Sequence, residues 1–130
     1  MEPNEVIRDA RFMRQVLSFR GLNNDGRYPT DIDGFLDIGG KAFIFIEAKY
    51  KDAAMPRGQE LAYERLCDAC QRARVRSIVL IAQHEEQDPE AVIDCAELPV
   101  IRIRWNREWR PPKEPISVKK AIGDVIKEWT

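Results

Sequence analysis

Apolar positions along this chain switch between a helical and a strand period. From Asn4 to about Ser18, Val6, Ala10, Met13 and Leu17 recur every three or four residues while Arg8, Arg11 and Arg14 fall elsewhere, which predicts an amphipathic helix capped by Asn4. GLNNDGRYPT, residues 21–30, reads as loop from its Gly, Asn and Pro content. A strand over 31–38, a Gly39-Gly40 turn and a second strand over 41–49 then predict a β-hairpin. Pro56 and Gly58 punctuate a loop before a helix over 59–74, with Ala62, Leu66, Ala69 or Cys70, and Ala73 on one face. RSIVLIAQ, residues 76–83, has the continuous apolar centre of a strand buried on both faces. Asp88-Pro89 predicts the start of a short helix, PVIRIRW a last strand, and NREWRPPKEP a Pro-rich loop. Ser117 caps a final helix whose apolar stripe is Val118, Ala121, Ile122, Val125, Ile126 and Trp129.

The order is an α/β plan in which a hairpin leads through a crossover helix to a further strand. At 130 residues the expectation is one domain, with its core over about 1–105 and a C-terminal loop and helix over 106–130. Apolar residues at 44% and charged residues at 33% are a globular balance, and no apolar run is long enough to cross a bilayer. The first residues lack a secretory pattern, and three cysteines are too few and odd in number for a disulfide framework, so a reducing, cytoplasmic setting without membrane contact is expected.

Two faces of the hairpin carry the chemistry. Side chains alternate along a strand, so Glu47 and Lys49 share a face, separated by roughly 6.6–6.8 Å, and Ala48 points the other way. Asp31, Asp33, Phe35 and Asp37 likewise share a face of the preceding strand. A register that joins these faces brings two carboxylates and one ammonium together, hard oxygen ligands of the kind Mg²⁺ or Mn²⁺ prefers. The plainer reading is a surface ion pair worth at most about 1 kcal/mol. Against it, FIFIEAK sets the pair at the end of a strand that is central, where a lone charge is costly.

The run TDIDGFLDIGGKAFIFIEAK, residues 30–49, resembles the core of the PD-(D/E)xK nuclease superfamily, in which an Asp on one hairpin strand and an acid-x-Lys on the next form a metal-dependent phosphodiesterase site. Asp33, directly before Gly34, matches the first acid, Glu47 the second and Lys49 the lysine. Pro29-Thr30-Asp31 represents the family's Pro-Asp pair only loosely and leaves Asp31 as the other candidate. RGQELAYERL resembles the helix that follows in the virus-type replication-repair nuclease branch and related phage proteins, where a glutamine faces the metal; Gln59 matches it, and Tyr63 lies one turn later. Glu5 matches an acid that the first helix supplies in many members. The resemblance implies a restriction-endonuclease-like αβββαβ core, a central mixed sheet flanked by helices, plus the C-terminal helix; residues 17–22 are the candidate for its first strand. It also implies Mg²⁺ or Mn²⁺ held by Asp33 and Glu47, DNA as substrate, and catalytic roles for Asp33, Glu47, Lys49 and Gln59.

The net charge of −1 argues against nonspecific coating of nucleic acid, although Arg72, Arg74 and Arg76, and Arg102 to Lys113, form two basic stretches. Arg104, Trp105, Arg107, Trp109 and Arg110 interleave in a pattern suited to phosphates and unpaired bases, or to anchoring a loop on the core. Cys67 and Cys70 lie mid-helix without the further ligands of a zinc site and read as packing residues; His84, the only histidine, has no nucleophile motif beside it. The last helix's stripe is core or a homodimer face. The functional expectation is a metal-dependent endonuclease or resolvase-like enzyme acting on DNA, structured or branched DNA included. The alternative is a catalytically inactive module of the same fold that binds nucleic acid or a protein, and a phage or mobile-element accessory protein with a vestigial site is the third.

Overall fold

The computed structural model describes residues 18–27 and 29–130, so the expected helix over 4–18, with Glu5, lies outside the described residues except for Ser18. The chain divides into two compact units, Met1–Thr30 and Asp31–Thr130. In the first, Arg20–Leu22 form a 3-10 turn, not the strand that 17–22 offered, closed by the Leu22 N–H donating to the Phe19 carbonyl at 2.9 Å. Asn24 and Arg27 then pair around Asp25-Gly26, both in the left-handed region that an Asp-Gly turn tolerates.

The second unit is an α/β fold built on a five-stranded mixed sheet in sequential order: β1 (Gly34–Ile38), β2 (Ala42–Tyr50), β3 (Arg76–His84), β4 (Val100–Trp105) and β5 (Glu108–Arg110). Helix α1 (Arg57–Arg72) connects β2 to β3, which run parallel; the other neighbours are antiparallel. The strand period sorts the core into two layers. Ile44, Ile78, Leu80 and Ala82 pack with Val118 and Ala121 of α2 (Val118–Trp129), while Phe45, Val79 and Ile81 pack with Tyr63 and Cys67 of α1. β3 is therefore covered on both faces, as its unbroken apolar run predicts. The stripe of α2 lies against the sheet of its own chain, and Ser117 caps that helix by accepting from the Lys120 N–H at 3.1 Å.

Four expectations are corrected, each for a local reason. β1 starts at Gly34 and not at residue 31, because the Asp33 carboxylate takes the Ala48 N–H that a longer ladder would use. α1 ends at Arg72 and not at 74: Arg74 turns left-handed (φ 65) and the Val75 N–H donates back to the Cys70 carbonyl at 2.8 Å, a Schellman closure with arginine where glycine is usual. Asp88-Pro89 opens a turn, with the Asp88 side chain accepting from the Glu90 N–H, and the short helical turn falls at Cys95–Glu97 under an Asp94 cap. Within the expected Pro-rich loop, Glu108–Arg110 pair with β4 through an Asn106-Arg107 turn whose two residues have φ of 54 and 66.

β4 and β5 are tied to α1 by charge as well as by packing. Arg104, 8% exposed, donates from Nη2 to both oxygens of Asp68 at 3.2 and 2.9 Å. Removing one member of a buried ion pair strands the other, whereas replacing both with apolar groups is far less costly. Asp68→Ala is therefore expected to destabilise the unit by about 3 kcal/mol in urea denaturation, and Arg104→Met added to Asp68→Ala to recover a large part of that loss.

Candidate metal and catalytic site

The polar edge of the β1–β2 hairpin meets the start of α1. Pairing of Gly34 with Ile46 and Phe35 with Phe45 sets Glu47 and Lys49 on the α1 face of the sheet, the face that Phe35 also shares. β1 runs close to β2 here: a Cβ at Gly34 would stand 3.3 Å from the Ile46 Cβ. That close approach delivers Asp33, one residue earlier, to the end of β2, where its Oδ2 accepts from the Ala48 N–H at 2.9 Å.

Glu47 is 3% exposed and is held by three donors. The Tyr63 hydroxyl donates to its Oε1 at 2.6 Å, while its Oε2 faces the Lys49 ammonium at 3.0 Å and the Gln59 amide at 3.1 Å. Gln59 closes the ring by accepting from Lys49 Nζ at 2.7 Å through its own Oε1. One α1 face thus supplies both partners, since Gln59 and Tyr63 are four residues apart. Asp31 enters through its backbone carbonyl, which accepts from Gln59 Nε2 at 3.4 Å.

The electrostatics are those of crowded acids. Asp33 has its pKa raised, first by desolvation and then by the Glu47 and Asp31 charges, against the opposing pull of the Ala48 N–H and Lys49. Burial, the bond to Glu47 and the acidic field of Asp33 and Asp31 push the Tyr63 phenol far above its ordinary range. These hard oxygens, two of them carried by carboxylates that repel each other, fit a divalent cation completed by water and substrate oxygens. Among the described residues no group of three or more His, Cys, Asp or Glu side chains converges as a metal site.

The structure brings together Asp33, Glu47, Lys49, Gln59 and Tyr63, and it separates the five basic and aromatic residues of the C-terminal half. Arg104 and Trp109 are cross-strand partners on the α1 face, where the Trp109 indole donates to Glu64 at 2.8 Å and Arg102, 4.5 Å over its ring, donates to Glu60 at 3.0 Å. Trp105 packs against Trp129 of α2, Arg107 is exposed in its turn, and Arg110 pairs with Glu108. Sequence reasoning missed the acidic row on α1 that engages these groups. Its signal was present in the four-residue spacing of Glu60, Glu64 and Asp68 beside Arg102 and Arg104. Cys67 is buried and hydrogen-bonded to Ser77, and His84 stacks edge-on against Tyr50 at 5.6 Å.

Two outcomes follow from this electrostatic arrangement. The folded-state pKa of Asp33 lies above its unfolded value, so its ionised form opposes folding at neutral pH, and the penalty disappears below about pH 3, where both states are protonated. Asp33→Asn keeps an oxygen for the Ala48 N–H, and thermal denaturation should show the variant more stable than wild type near neutral pH but equal to it in acid. Tyr63→Phe leaves a buried carboxylate oxygen without its donor and should cost about 1–3 kcal/mol in chemical denaturation. Comparison of the chain with protein-family models, curated proteins and solved structures found no match in any of the three.

Proposed function

We propose that the unit over 31–130 is a PD-(D/E)xK-type, restriction-endonuclease-like domain that hydrolyses phosphodiester bonds in DNA, structured or branched DNA among them. The observation that carries this reading is the buried Glu47 carboxylate, fixed by Lys49, Gln59 and Tyr63 beside the crowded Asp33 carboxyl. An ion pair of purely structural use has no need of a second carboxylate whose charge opposes the first.

Asp33 and Glu47 are the residues that would hold Mg²⁺ or Mn²⁺. When bound, such an ion lowers the pKa of its water and offsets charge on a phosphoryl oxygen. The chain's own residues do the positioning. Tyr63 and Gln59 fix both oxygens of Glu47, so its carboxylate does not rotate as charge accumulates beside it. Gln59 and Glu47 hold the Lys49 ammonium between them, where it orients the attacking water and stabilises the developing negative charge. The Ala48 N–H orients Asp33 in the same way.

A second reading, an inactive nuclease-fold module that binds nucleic acid or a protein, is favoured by one feature: Lys49, Gln59 and Tyr63 satisfy Glu47 with no cation required. Incubation with Mg²⁺ or Mn²⁺ and single-stranded, duplex, flapped and four-way DNA separates the two. The enzyme reading expects cleavage that Lys49→Ala slows by about 10²–10⁴-fold and that Glu47→Ala abolishes. Absence of cleavage on all substrates, or cleavage indifferent to both variants, removes it.

A further inference from the structure

The sheet end opposite the acidic site holds a second, differently charged feature. α1 closes through the left-handed Arg74 into β3, and β4 turns through the left-handed Asn106 and Arg107 into β5. Because β3 and β4 are antiparallel, the start of one lies beside the end of the other. Between these turns is a cleft of about 350 Å³ lined by Gln71, Arg74, Val75, Arg76, Trp105 and Asn106. Ile81 and Gln83, the register partners of Glu47 and Lys49, lie five and seven residues along β3 from Arg76, which puts the cleft roughly 17–23 Å from that pair.

The arginines here differ from the ion-paired ones of the unit and share with Arg65 and Arg72 of α1 an exposed position without an ion pair among the described residues. Arg57, Arg102, Arg104 and Arg110 each face a carboxylate. Arg74 and Arg76 in the cleft, and Arg107 at its margin, are exposed and form no ion pair among the described residues. Trp105, which also lines the cleft, stands 37% exposed, tilted against Trp129 at a ring separation of 5.4 Å. Unpaired guanidinium groups beside a partly exposed indole match a polyanion that carries planar apolar faces. A small phosphate would use the arginines and leave the indole idle, and a duplex keeps its base faces stacked inside.

We propose that this cleft binds an unpaired stretch of nucleic acid, with Arg74 and Arg76 on successive phosphates and a base stacked on Trp105. Binding here needs no divalent cation and does not depend on the hydrolytic reading.

The test uses the full chain in EDTA and fluorescence anisotropy of a labelled thymidine or uridine oligonucleotide of about 20 residues, longer than one such site covers. The proposal expects salt-sensitive binding that is tighter than to duplex of equal length. Arg74→Ala with Arg76→Ala should weaken it by about tenfold or more and lower the slope of log affinity against log salt by about 1.4, two single-strand phosphate contacts. Trp105→Ala should cost about tenfold, and Trp105→Phe, which keeps a ring against Trp129, should retain most of the affinity. As a charge-matched control, Lys119→Ala with Lys127→Ala on exposed positions of α2 should leave binding unchanged. No binding to either oligonucleotide, equal or tighter binding to duplex, an unchanged salt slope in the arginine variant, or equal loss in the lysine control would each overturn it. Preference between thymidine and uridine strands distinguishes DNA from RNA as the source of the strand.

Discussion

A carboxylate taken almost wholly out of water has to be satisfied by the protein around it, and Glu47 sets that demand for the whole site. Its position follows from strand alternation: Phe45 faces the α1 layer, so Glu47 and Lys49 face it too. The start of α1 then has to present donors in place of an apolar face, and Gln59 and Tyr63 do so. Along another row of the same helix the arrangement reverses, with Glu60, Glu64 and Asp68 receiving Arg102, Trp109 and Arg104 from β4 and β5 on the same face of the sheet. The α1 interface is consequently apolar only at its centre, around Tyr63, Cys67, Val79 and Ile81, and polar toward both margins.

Asp33 is the second acid of this group, and among the described residues no partner side chain neutralises it as Lys49 does Glu47. As a residue it is exposed, yet its carboxyl is partly desolvated and then crowded by Glu47 and Asp31, which together raise its pKa. One backbone N–H only partly offsets that crowding. A fold selected for stability alone has no use for a second acid at that point, and retaining a destabilising charge is the usual compromise of a binding or reactive site.

Most of the sheet was legible in the sequence because its strands differ in period or composition. FIFI, the Gly39-Gly40 turn and RSIVLIAQ each gave an element that the structure contains. Alternation made the Glu47–Lys49 pair legible, whereas Gln59, with Tyr63 one helical turn later, was joined to it only by the resemblance of RGQELAYERL to a nuclease helix. What escaped was set by single residues acting against their usual preference. Arg74 and Arg107 occupy left-handed turns without being glycine, hiding the end of α1 and the β4–β5 turn. Asp33 spends its side chain on a ladder N–H and shortens β1. The interleaved Trp and Arg residues of the C-terminal half read as one surface, but β4 alternation sends Arg104 toward α1 and Trp105 toward α2.

The proposal that Asp33 and Glu47 hold a divalent cation is tested residue by residue by paramagnetic broadening with substoichiometric Mn²⁺. Amide resonances of residues 33, 47 and 48 are expected to broaden first, and Asp33→Asn with Glu47→Gln to remove the effect. Broadening centred on the acidic loop of Glu85 and Glu86, or spread evenly over surface carboxylates, would contradict it.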